Sequence, residues 1–79
     1  MPHYFLNLFN DADSPDHEGT DFADLAAARR AAVAGAREVM ADHVMKGRPL
    51  NMAHRVEVVD ENGKVLAVIP FGELITIVH

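Results

Sequence analysis

The sequence contains no cysteine and no tryptophan. Without cysteine there is no disulfide and no thiolate nucleophile or ligand, which suits a chain kept in a reducing compartment. Lysine and arginine are absent from residues 1–28, although six acids fall there. That segment carries −6, while residues 29–79 carry +1 from seven bases and six acids. A chain of net charge −5 lacks the basic surface on which nucleic-acid affinity is built, so no nucleic-acid partner is expected. No apolar run reaches the ~18 residues a membrane span needs, and Met1-Pro2-His3 does not open a secretory signal. The expected setting is the cytoplasm, with no membrane partner.

Catalytic signatures are also missing. The hydroxyl candidates are Ser14, Thr20, Thr76 and Tyr4, and neither a G-x-S-x-G elbow nor a glycine-rich phosphate loop accompanies them. The histidines at 3, 17, 43, 54 and 79 are 14, 26, 11 and 25 residues apart, and none of these is a zinc-ligand spacing. No catalytic residue and no cofactor is assigned. Asp11, Asp13, Asp16 and Glu18 offer hard oxygen ligands of the kind calcium or magnesium prefers. They do not make an EF-hand loop: its fifth position would be Pro15, its sixth Asp16 in place of glycine, and its twelfth Phe22. A solvated turn that guards a strand edge is the expected role of this loop.

The longest coherent feature is an alanine-rich run over residues 24–46. Asp24 suits an N-cap, Asp21 adds a negative charge near the positive end of the helix dipole, and Gly47 and Pro49 end the run. At 100° per residue, Leu25, Ala28, Ala32, Ala36, Val39, Met40 and His43 form one stripe, taken as the core face, with Arg29 inside it. Gly35 is expected where the helix crosses a strand closely or bends. On the opposite face Ala27, Ala34 and Ala41 recur at seven-residue spacing, with Arg30 and Arg37 at the edge. Small residues in such a row would admit a second helix, and a solvated alanine face is the plainer alternative.

Strands flank the helix. His3–Phe9 is apolar on both alternating faces, which predicts a central strand or one covered by more than the helix. Residues 10–16 are dense in turn formers, and 17–22 leave room for one short strand returning beside the first. Residues 55–59 and 64–69 form a hairpin around Asp60-Glu61-Asn62-Gly63. A three-residue loop there, the favoured reading, predicts pairing of Asp60 with Lys64, Val58 with Leu66 and Val56 with Val68. A two-residue Asn62-Gly63 turn would put Ala67 and Ile69 on the core side instead. Pro70 ends the last strand, Phe71 and Leu74 are expected to cover one end of the core, and 73–79 is a tail or an extra strand. The fold class is α+β, in the order ββαββ: an antiparallel sheet of 3–4 strands with one long helix on one face, residues 1–79 forming one small domain.

Several stretches carry a resemblance. They are Tyr4-Phe5, Glu18-Gly19-Thr20, Asp24-Leu25 with Ala28-Arg29 and Ala32, Gly47-Arg48-Pro49-Leu50, Val56-x-Val58-x-Asp60 with Gly63-x-Val65-Leu66, and Pro70-Phe71. Together they resemble a family of short uncharacterised proteins, mostly from rhizobia and other alphaproteobacteria, classed as a domain of unknown function. The resemblance implies that Tyr4, Phe5, Gly19, Arg29 and Phe71 belong to a shared design, and it implies no activity. More distantly, the strand–Gly–helix arrangement with Ala28 and Ala32 is similar to antitoxin domains that neutralise small RNA-cleaving toxins. The expected function is a non-enzymatic protein-interaction module, a homodimer or a binder of another protein. An antitoxin-like regulator comes second, and a small metal-binding protein or hydrolase third.

Overall fold

The computed structural model describes residues 2–10, 13–76 and 78. Strand β1 (His3–Phe9) is followed by β2 (Asp13–Ser14), β3 (Thr20–Asp21), helix α1 (Leu25–Met45), β4 (Arg55–Val59), β5 (Val65–Pro70) and a 3-10 turn (Phe71–Glu73). The sheet is antiparallel throughout, in the order β2-β1-β4-β5, with β3 also paired to β1. This is the expected α+β architecture, with five strands among the described residues in place of three or four. The expected return strand at 17–22 is β3, two residues long. The additional strand is β2, inside the stretch 10–16 expected to be only turn: Asp13 and Ser14 double back to pair with Phe9 and Leu8. The two-sided apolar pattern of β1 has the predicted cause: it lies between β4 and the short edge strands. On its face away from the helix, the Arg55 guanidinium lies 4.3 Å over the Phe9 ring and Arg55 Nε donates to Glu57 at 2.9 Å.

Helix α1 is fixed at both ends. Asp24 is extended, and its Oδ1 accepts from Ala27 N–H at 2.8 Å, a cap worth ~1 kcal/mol. At the other end, Arg48 N–H donates to His43 C=O at 2.8 Å and Gly47 N–H to Val44 C=O at 3.1 Å. That reciprocal pair is a Schellman motif, which satisfies carbonyls the helix would otherwise leave bare. The buried stripe is Ala28, Ala32, Ala36, Met40 and His43. Leu25 was expected on it but is exposed, because it occupies the first helical position, ahead of the covered turns. Arg29 is exposed as well. Alanine is the useful core residue here: it brings the helix close enough to seal Val58, Ile69 and Phe71, each at most 1 % exposed.

The β4–β5 turn keeps its predicted chemistry but not its predicted register. Asp60 Oδ1 accepts from the amides of Asn62 and Lys64, both at 2.9 Å, Asp60 N–H donates to Lys64 C=O, and Gly63 has φ +82. A bulge then shifts the ladder, so Val58 faces Ala67 and Val56 faces Ile69. Ile69 is buried in place of Val68, which is 47 % exposed. One extra residue thus moves the larger side chain into the core.

At ~1.5 Å per residue the 21 residues of α1 span ~31 Å, well beyond five-residue β4. The connector takes up the excess. Leu50 packs on the core, His43 Nδ1 donates to Pro49 C=O at 3.4 Å, and Phe71 N–H and Gly72 N–H donate to His54 and Met52 carbonyls. Leu74 and Ile75 pack against the core. Among the described residues the 73–79 tail adds no strand, and the tail positions Ile77 and His79 lie outside them.

Candidate functional site

Three surfaces carry the candidate residues. The first is the outward face of α1. Ala34, Ala41, Arg30 and Arg37 are exposed there, and Ala27 is half-buried. The stripe ends at Met45, and Val44 lies next to it in sequence.

The second was not anticipated. Along one flank of α1 an open apolar groove of about 210 Å³ runs between the helix and β1, lined by Leu6, Leu8, Ala31, Gly35, Val39 and Val56 among others. Gly35 helps to create it. A Cβ built at Gly35 meets nothing within 4 Å, so close crossing of a strand is not the reason for this glycine. The helix sits mainly over β4, and Ala31, Ala32, Gly35 and Ala36 are too small to fill the space beside Leu6 and Leu8 of β1.

The third is the acidic edge. Asp11 lies outside the described residues, and Asp13 and Glu18 are exposed. Asp16 turns inward, where its carboxylate does the work of a missing strand. Oδ2 accepts from Leu6 N–H at 3.2 Å and Oδ1 from Gly19 N–H at 3.0 Å, while Asp16 N–H donates to Asn7 Oδ1 at 2.9 Å. Partial burial pushes the Asp16 carboxyl up, but the amides of Gly19, Leu6 and Glu18, with the charge on His3, outweigh it and hold it below the ordinary value. An oxygen engaged by backbone amides is a poor metal ligand. Among the described residues no three histidine, aspartate or glutamate side chains converge as a cation site requires.

His3 closes the same edge. Its Nδ1 lies 2.6 Å from Asp21 Oδ1 and its Nε2 lies 2.7 Å from the Glu18 carbonyl. Gly19, at φ +69, passes beneath the ring: a Cβ there would lie 2.5 Å from His3 Nε2 and 2.8 Å from the Tyr4 carbonyl. Glycine is required at this position both by conformation and by space.

Residues 3–72 match a protein family described as a domain of unknown function (DUF6894). The chain belongs to this family. No curated protein and no solved structure matches the chain. The family match takes in every strand, the helix, the groove and the His3–Asp21 edge, and it stops before the apolar tail.

The sequence held a usable signal for His3. An antiparallel return of 17–22 beside 3–9 brings the acids of that segment near residue 3, and the register that sets Asp21 opposite His3 is seen in the structure. The groove had only a weak signal, Gly35 four residues after Ala31 on one helix flank, which tells nothing about where the helix sits on the sheet.

Proposed function

We propose that this member of the family is a non-enzymatic, cytoplasmic protein-interaction module that forms a homodimer through the outward face of α1. The observation that carries this reading is Met45. It is 86 % exposed and continues the stripe of Ala27, Ala34 and Ala41, with Val44 next in sequence at 63 %. A large apolar side chain in water at the end of a small-residue stripe is what a second helix would cover. Alanines along the stripe would let the axes approach to the short end of the ~8–10 Å packing range.

Charge selects the orientation. Arg30 and Arg37 border the stripe on one side, Glu38 and Asp42 on the other. In a parallel pair the basic border of one copy meets the acidic border of its partner, whereas in an antiparallel pair like charges meet. The proposed dimer is therefore parallel. The lack of cysteine supports the cytoplasmic setting.

Sedimentation or light scattering tests the reading. The wild-type chain should be a dimer at high micromolar concentration, and Ala34→Glu should keep its circular dichroism spectrum while becoming monomeric. A wild-type monomer at that concentration, or a dimer unmoved by Ala34→Glu, overturns it.

A further inference from the structure

The edge built from β2, β3 and the turn between them holds a device independent of self-association. A neutral imidazole has one N–H and so can donate from only one nitrogen. Both ring nitrogens of His3 face acceptors, the Asp21 carboxylate at 2.6 Å and the Glu18 carbonyl at 2.7 Å. Both contacts are hydrogen bonds only when the ring is an imidazolium. Removing the proton turns one of them into a contact between two lone pairs.

Among the described residues, the charges that act on the ring have one sign. Asp21 faces it from β3, Asp16 from the loop before β3, and Glu61 from the β4–β5 turn. On its own strand the Phe5 ring stands edge-on at 5.2 Å. No lysine or arginine occurs in residues 1–28, the segment that carries Asp16 and Asp21. The Gly19 backbone lies against Nε2 with no room for a side chain, so the ring cannot shift inward to relieve a bad contact.

What His3 holds is otherwise lightly held. β2 and β3 are two residues each and exposed. Beyond the ladder the segment is tied by the Asp16 carboxylate, by Asp16 N–H donating to Asn7 Oδ1 at 2.9 Å, by Phe22 N–H donating to Pro2 C=O at 3.0 Å, and at its far end by the Phe22 ring beside Tyr4. We propose that His3 is a proton-operated latch: charged, it pins residues 18–21 to β1, and uncharged, it lets that segment and the neighbouring Asp16 carboxylate come away from the strand. The opened form presents the Leu6 N–H and the adjoining β1 backbone as an unpaired edge of the kind an extended peptide can join.

The direction of the pH response follows from the contacts. The Asp21 hydrogen bond, and after it the Glu18 carbonyl, raise the His3 pKa above its ordinary value of 6.5. The latch contributes fully below that value and is lost as pH rises through the folded-state pKa.

Nuclear magnetic resonance on the intact chain tests this, following the His3 ring nitrogens and amide exchange from about pH 5 to pH 9, a range that brackets histidine titration. Leu6, Gly19 and Phe22 amides should lose protection several-fold, beyond the intrinsic rate change, through the His3 midpoint, while Val58 stays protected. Asp21→Asn should lower that midpoint, and His3→Gln should abolish the pH dependence of the three amides. Protection that ignores the His3 charge overturns the latch, as does a midpoint unmoved by Asp21→Asn. So does loss of Val58 protection at the same pH, which would mean the whole fold responds.

Discussion

The two sides of the sheet are held by different forces. On the β4–β5 side, Val58, Ile69 and Phe71 are sealed beneath Ala28, Ala32, Ala36 and Met40, and burial of apolar surface does the work. On the other side of β1, two exposed two-residue strands are kept in place by Asp16, Asn7, His3 and Asp21, with little burial. An apolar core opens only with the whole fold. A polar edge can open alone, and its grip depends on which groups are ionised.

The sharpest way to break the contrast is Ala36→Asp. Ala36 is 1 % exposed, and an unpaired carboxylate there costs ~3–5 kcal/mol or more. That is a large share of a stability of ~5–15 kcal/mol. Thermal or urea unfolding followed by circular dichroism should show the cooperative transition lost or strongly weakened. A variant that melts within a few degrees of wild type would deny that this face is the core.

Gly19→Ala is the matching change on the polar side. A side chain at φ +69, pressed against the His3 ring and the Tyr4 carbonyl, should cost ~1–3 kcal/mol. The loss should fall on the edge: exchange of Leu6 and Phe22 amides should accelerate more than that of Val58. An equal acceleration at all three would show that the edge and the core are one cooperative unit.

The smallest effect has the opposite sign. Gly35→Ala meets no atom and should raise stability by ~0.5–1 kcal/mol, read as an increase in melting temperature. A decrease would mean that the helix needs its glycine against β1 after all.

Proton balance sharpens the same comparison. Asp16, held below its ordinary value of 3.8, contributes fully above that pH and is lost as pH falls through its folded-state pKa. His3 acts in the reverse sense. The edge is therefore tightest between about 3.8 and 6.5, the two ordinary values, and slackens on either side.

Much of this architecture was legible in the chain. Asp24 and Gly47 mark the helix ends because caps are chemistry of single residues, and Asp60 with Gly63 marks the turn for the same reason. The central place of β1 was readable because both of its faces are apolar. The bulge was not, since local turn preference fits both registers and only the volume beneath α1 prefers Ile69 to Val68. Nor was the role of Asp16. In sequence it is one more acid in an acidic loop, and its inward turn depends on a strand gap that appears only once β1 has its neighbours. The alanine stripe Ala27, Ala34 and Ala41 was legible as a pattern, and its use is a matter for the dimer measurements.

The empty space beside Gly35 has a practical side. The chain has no thiol of its own, so Gly35→Cys would create a unique attachment point. A spin label or fluorophore placed there would start at the mouth of the groove that Leu6 and Leu8 line, from a Cβ that meets no neighbouring atom. It would report whether anything enters that groove in a cell extract before the identity of the entrant is known.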